Sequence, residues 1–258
     1  MLVNEESPNP EEQAPNRESQ SLVRTAKSVQ LRPDEGKAID HRVVSPVLAN
    51  CFNYSLFSKD QNGVGYSLAI TSAHKGEGKT LVASNLAVSM AIAAERETVL
   101  VDFNVRHPKL HSVFGTNLSP GLVEALTNPT IYVSVTQVKH LYVLTAGNYG
   151  KTLLTNNQSP KGFVTSKTNG TFGPASLATL ASFRDVVYSL QRDFDVIIID
   201  MPAILDPEVP ALATQHMNGL LLVVDSQKTT REDIANVFHR VGKQQVIGFV
   251  LNRVAEYK

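Results

Sequence analysis

Six short runs of branched and aromatic residues punctuate the chain: SLAITS (67–72), TVLVD (98–102), HLYVLTAG (140–147), DVIIID (195–200), GLLLVVD (219–225) and VIGFVLN (246–252). Most are apolar at consecutive positions, so both faces of each strand need covering. Helical patterns such as LVASNLAVSMAIAA (81–94) follow most of them. Buried strands separated by helices predict a doubly wound α/β fold, a mainly parallel sheet flanked by helices, with ligand chemistry at the carboxyl ends of the strands.

Residues 1–42 are rich in Glu, Asn, Gln, Ser and Pro and hold only scattered apolar residues, which predicts a disordered N-terminal arm. The folded domain is expected over 43–258, opening with a helix that carries Val47, Leu48, Cys51 and Phe52 at helical offsets. A polar stretch rich in Asn, Gly and Thr, 149–174, reads as a long surface loop.

Composition narrows the function classes. Twenty-four Lys plus Arg balance 24 Asp plus Glu, so no overall field favours nucleic acid or an anionic membrane. The single cysteine, Cys51, excludes an internal disulfide and fits a reducing cytosol. No run approaches the roughly 20 apolar residues of a bilayer span. Direct membrane insertion is therefore not expected, and any membrane association comes through a partner.

The candidate chemistry centres on TSAHKGEGKT (71–80), which lies between a strand and an apolar helix. In that context Gly76 and Gly78 let backbone N–H groups approach phosphates, Lys79 reaches the terminal phosphates, and the Thr80 hydroxyl ligates Mg²⁺. Ala73 stands where the full GxxxxGKT pattern has glycine. His74 and Lys75 are either solvated side chains or further phosphate contacts. Asp102 and Asp200 each close a hydrophobic strand, where carboxylates hold metal-bound water and orient a nucleophile.

Taken in order, TSAHKGEGKT, VDFNVRHPKLHSVFG, GLVEAL, LTAG, FDVIIIDMPAILD and LLLVVDSQKTTREDI resemble the bacterial tyrosine kinases (BY-kinases) of capsular and exopolysaccharide biosynthesis. These kinases lie within the deviant Walker A, ParA/MinD-like P-loop ATPases. The resemblance implies transfer of the γ-phosphate of Mg·ATP to tyrosine, with ATP and Mg²⁺ as cofactors. It implies that Lys75, Gly76, Glu77, Gly78, Lys79, Thr80 and Leu81 bind nucleotide and that Asn252 with Arg253 meets the adenine. Thr80, Asp102 and Asp200 would hold the metal, and Lys79, Asp102 and Asp200 would carry catalysis. The partner implied is a membrane polysaccharide co-polymerase acting as activator, with the chain cytoplasmic at the inner face of the membrane. The family's rings of protomers make a homo-oligomer a candidate assembly.

The sequence also departs from the family. Asn104 replaces the second acid of the family's DxDxRxP pattern, of which Arg106 and Pro108 are kept, and an amide cannot serve as a base. The stretch ANCFNYSLFS, where the family carries Glu and Arg for ring assembly, has no arginine, and Tyr257 stands alone where the family has a tyrosine cluster. His74 occupies the place of the trans-acting lysine of partitioning ATPases. A catalytically impaired nucleotide-binding regulator of polysaccharide chain length or export, and a ParA/MinD-like ATPase, are thus the alternatives.

Overall fold

The computed structural model describes residues 27–32, 63–148, 177–206 and 211–254. The helix expected from Val43, the loop at 149–174 and Tyr257 lie outside the described residues.

Eight strands form one sheet: β1 (Ser28–Arg32), β2 (Tyr66–Ser72), β3 (Thr98–Asp102), β4 (Thr130–Val135), β5 (Leu141–Leu144), β6 (Val196–Asp200), β7 (Gly219–Asp225) and β8 (Val246–Asn252). Their order across the sheet is β1-β4-β5-β3-β6-β2-β7-β8. Every neighbouring pair is parallel except β4 and β5, which meet antiparallel. The helices are α1 (Lys79–Ile92), α2 (Leu110–Val113), α3 (Leu122–Thr127), α4 (Leu177–Asp193) and α5 (Arg231–Val241). The doubly wound, mainly parallel α/β fold is the one the run pattern predicts.

The consecutive apolar positions have a direct structural use. In β3, Val99 and Val101 point to one core while Leu100 points to the other, and in β6 Ile197 and Ile199 oppose Val196 and Ile198 in the same way. One core is closed by α3, α4 and α5, the other by α1 and α2. Burying a branched side chain this way contributes about 1.5–3 kcal/mol each. Helix α1 lies deepest: Ala83, Leu86, Ala87, Met90 and Ala91 are fully enclosed, and its small residues allow close approach to the sheet.

Two strands were not expected from the sequence. Strand β4 (TIYVSV) was missed although its buried Ile131 and Val133 alternate with half-buried Thr130 and Tyr132. Strand β1 lies inside the 1–42 stretch expected to be unstructured, and pairs with β4 from Ser28↔Thr130 to Arg32↔Ser134. Its ends are pinned by polar contacts: Lys27 Nζ donates to the Ala125 carbonyl at the end of α3, and Arg32 Nη2 donates to Ser134 Oγ at 2.9 Å. Polar side chains therefore supply anchorage that its composition conceals.

The register decides the site. Ile70 of β2 lies beside Asp200 of β6, and Asp200 lies beside Asp102 of β3. The Asp200 strand thus adjoins the strand leading into the glycine loop, while the Asp102 strand is one place further out.

Candidate functional site

The loop 73–78 joins β2 to α1 at the carboxyl edge of the sheet. Gly76 has φ 85° and Gly78 φ 99°, left-handed values that favour glycine. At Gly78 a second constraint acts, since a Cβ there would stand 2.1 Å from Asn252 Nδ2. The loop ends in Lys79, whose buried ammonium donates to Ser72 Oγ at 3.0 Å and to the His74 carbonyl at 3.3 Å. Burial lowers the Lys79 pKa, and the carboxylates of Asp200 and Glu77 oppose that.

Thr80 Oγ1 donates to Asp200 Oδ2 at 2.7 Å. The other oxygen, Asp200 Oδ1, is buried and has no hydrogen-bond partner among the described residues. Burial, with Asp102 beside it, pushes the Asp200 carboxyl up to about 7. An orphaned carboxylate oxygen next to a hydroxyl at the start of α1 is an oxygen-donor set suited to a hard cation. Among the described residues no group of three or more His, Cys, Asp or Glu could hold a metal ion. Mg²⁺ fits such a sparse site, because it is commonly held by one or two carboxylates together with phosphate oxygens and water. The residues present therefore fit nucleotide with Mg²⁺.

Asp102 is differently placed from that expectation of direct chemistry. It is fully buried, and its carboxylate accepts from three backbone amides: Asn104 at 3.0 Å onto Oδ1, Lys109 at 2.9 Å and Leu110 at 3.1 Å onto Oδ2. Burial outweighs these bonds and raises its pKa. The carboxylate folds the 103–110 loop over the end of β3. What the loop presents to the cavity is Asn104, His107 and Lys109.

That cavity, of about 560 Å³, is of ligand-binding size. One wall is the glycine loop with Lys75, Gly76, Gly78, Lys79, Thr80 and Leu81; the other is Asn104, His107, Lys109 and Val113, with Pro202 and Ala203 between. His107 and Lys109, neither of them assigned to the site from the sequence, are both wall residues.

The remaining expected site residues lie behind the loop rather than in the cavity. Asn252 Nδ2 donates to the Glu77 carbonyl at 2.8 Å and Arg253 Nη2 to the Gly76 carbonyl at 2.8 Å. Arg253 Nη1 also pairs with the buried Asp225 at 2.6 Å. Burial pushes the Asp225 carboxyl up, but the Gln227 amide and the Arg253 guanidinium outweigh it and hold it low. The Glu77 side chain turns away from the cavity, accepting from Thr229 Oγ1 at 2.5 Å and from the His74 amide at 3.0 Å. Two loop carbonyls are thus held outward by the end of β8, which leaves loop amides free to face inward.

His74 and Lys75 both have acidic partners. His74 Nε2 lies 2.9 Å from Asp233 Oδ1, whose other oxygen closes the capping box of α5 with Thr230. The Thr230 amide and hydroxyl and His74 hold the Asp233 carboxyl at about 2. Lys75 Nζ pairs with Asp206 at 2.9 Å. Sequence reasoning missed Asp225, Thr229 and Asp233. The motif LLLVVDSQKTTREDI contains all three, but their meeting with a loop some 150 positions away is a property of the β2–β7 pairing.

No protein-family model matches the chain. Among curated proteins it is 27% identical over 204 residues to the putative tyrosine-protein kinase CapB of Staphylococcus aureus, covering 77% of this chain and 79% of that one. It is 25% identical over 235 residues to the tyrosine-protein kinase YwqD of Bacillus subtilis, covering 86% and 90%. It is also 26% identical over 192 residues to the succinoglycan biosynthesis transport protein ExoP of Rhizobium meliloti, covering 72% of this chain and 22% of that longer one. Among solved structures, the VpsO kinase domain superposes with a TM-score of 0.61 at 25% identity, covering 81% of this chain and 94% of that domain. The chimerical protein CapA2B2 superposes at 0.57 with 26% identity, covering 74% and 77%. The fold also matches the septum site-determining protein MinD of Pyrococcus horikoshii, a complex with Mg-ADP, at a TM-score of 0.55 and 21% identity over 75% of this chain and 72% of that one. In sequence and in fold alike, the chain is similar to bacterial tyrosine-protein kinases, and its fold is the P-loop NTPase fold also seen in MinD.

Proposed function

We propose that the chain is a Mg·ATP-dependent protein-tyrosine kinase-like component of exopolysaccharide or capsule synthesis and export. The observation that carries the reading is the juxtaposition of Lys79, the Thr80 hydroxyl and the orphaned Asp200 oxygen at the head of a glycine loop beside the cavity. Inward-facing amides of Gly76 to Thr80 would bind phosphates, Lys79 would neutralise their terminal charge, and Thr80 with Asp200 would hold the metal. Bound Mg²⁺ would supply charge neutralisation at the transferring phosphoryl group. Asp102 would act through its backbone bonds, fixing the wall on which an acceptor hydroxyl is oriented. Asn252 and Arg253 would position the loop.

Support for the setting comes from the similarity to the succinoglycan biosynthesis transport protein ExoP and to the chimerical protein CapA2B2. A membrane co-polymerase is accordingly the partner proposed, with the chain at the cytoplasmic face of the membrane through that partner. No helix among the described residues is long and apolar enough to cross a membrane. We take 43–258 as the nucleotide-binding domain and the residues before it as an arm contributing β1 to the sheet.

One observation favours a second reading, a nucleotide-binding regulator without useful turnover. Among the described residues no carboxylate lines the cavity wall opposite the glycine loop, where Asn104 stands, and both oxygens of Asp102 are taken by amides. The deciding experiment measures Mg·ATP binding and phosphate release on the full chain, with Asp200→Ala as control and a co-polymerase fragment added in a second run. Turnover lost in Asp200→Ala, followed by phosphate on tyrosine, establishes the kinase. Binding without turnover in either run establishes the regulator, and no binding refutes both.

A further inference from the structure

Three lysines line the cavity, and their ammonium groups are not equivalent. Lys75 is paired with Asp206, and Lys79 is bonded to Ser72 and to the His74 carbonyl. Lys109 Nζ has no hydrogen-bond or ion-pair partner among the described residues. Its backbone, in contrast, is fixed: the amide donates to the buried Asp102, and its carbonyl accepts from the amides of Ser112 and Val113. An exposed, uncommitted cation thus stands on an anchored backbone across the cavity from the glycine loop.

Its charge acts on particular groups. Lys109 lowers the pKa of Lys79 and of Asp200, the two groups at the phosphate and metal end of the site. Among the described residues that line the cavity there is no carboxylate that would neutralise it. Asn252 and Arg253 are on the other side of the loop, behind Gly76 and Glu77. Phosphates cradled by the loop would therefore have Lys79 on one side and, at their terminal end, Lys109 on the other.

We propose that Lys109 is a second phosphate-contacting cation of this site, one that reads the terminal phosphate and so makes the site select nucleoside triphosphate over diphosphate. The inference rests on the nucleotide reading of the cavity and deepens it by assigning the residue that senses the γ-phosphate. A diphosphate held by the loop amides and Lys79 leaves Lys109 without a partner, whereas a triphosphate gives it a charge-assisted contact.

The test is calorimetric binding to the full chain, with Mg²⁺, of ADP and of a non-hydrolysable β,γ-imido analogue of ATP, in wild type, Lys109→Met and Lys109→Arg. Loss of one charge-assisted contact corresponds to about a tenfold weakening. Lys109→Met is expected to weaken the triphosphate analogue by that factor and leave ADP within about twofold, with Lys109→Arg restoring most of the preference. ADP affinity is also the check that the variant folds. Equal weakening of both nucleotides, or an unchanged ratio, overturns the assignment while the nucleotide reading stands. Binding of neither nucleotide by wild type overturns both.

Discussion

Thr80 Oγ1 and Asp200 Oδ2, at 2.7 Å, form a side-chain bond that joins the glycine loop's helix to the acid at the end of β6. It links residues 120 positions apart, and it leaves Asp200 Oδ1 buried and orphaned. The Thr80 hydroxyl and the Asp200 carboxylate would be the residues to hold a bound Mg²⁺ and its charge-neutralising chemistry. Thr80→Val keeps the shape and removes the oxygen. The Mg²⁺-dependent part of nucleotide affinity is expected to fall about tenfold, with the metal-free part little changed. Titrations with Mg²⁺ and with EDTA check this, and equal losses in the two would mean that Thr80 serves the fold and not the metal.

Asp200 also makes stability depend on pH. Its carboxyl is raised from an ordinary 3.8 to about 7 by burial and by Asp102. Between those values the folded chain holds a proton that the unfolded chain has released, so this contribution is fully present below about pH 4 and is lost as pH rises through 7. Asp200→Asn is neutral throughout and has no such loss. The melting temperature of the variant should therefore gain on that of the wild type from pH 4.5 to 7.5 in metal-free buffer. Parallel curves would show that Asp200 is ionised in the folded chain across the whole range.

The loop's rear clamp has its own consequence. Asn252 and Arg253 donate hydrogen bonds to the carbonyls of Glu77 and Gly76 on the loop, and those contacts set which way the loop's peptide groups face. Alanine at either position should weaken nucleotide binding by about three- to tenfold without altering any cavity-lining side chain. Gly78→Ala should cost about 1–3 kcal/mol of stability, because φ is 99° and the new Cβ meets Asn252 Nδ2. Adding Asn252→Ala to Gly78→Ala relieves the clash but not the dihedral. Denaturant melts of the double cycle should show a coupling of about 0.5 kcal/mol or more, whereas strict additivity would mean that Asn252 simply moves aside.

How far the sequence disclosed this arrangement depends on the kind of contact. Strands β2, β3, β6 and β7 were legible because their two-faced apolar runs have few other uses, and GEGKT was legible because a strand and a helix flank it. Strand β1 was not: SVQLR holds two apolar residues, and what fixes it is Lys27 and Arg32 reaching α3, β4 and the Ser119 carbonyl. Asp102 could be seen as a strand-end acid, but its three amide donors come from a loop that the acid itself folds. Glu77 could be read as a loop residue near phosphate. That its carboxylate turns outward to Thr229 follows from β7 lying beside β2, which no local pattern specifies.

Asn104 is the departure with the clearest chemical test. Its backbone amide is fixed on Asp102 Oδ1 at 3.0 Å and the residue lines the cavity, so a carboxylate at this place would share the cavity with two cations, Lys79 and Lys109, and ionise readily. A base positioned at an acceptor hydroxyl contributes about 10²–10⁴ in rate when fully aligned. Asn104→Asp is expected to raise phosphoryl transfer to tyrosine by at least about tenfold at pH 7.5, with nucleotide affinity changed by less than about threefold. Asn104→Ala should leave the wild-type rate almost unaltered, since the amide donates no base to lose. A rise confined to Asp identifies proton acceptance as the step the natural residue limits. Equal rates in Asp and wild type, with nucleotide still bound, would place the limit in presentation of the acceptor, and the co-polymerase fragment should then raise all three rates by the same factor.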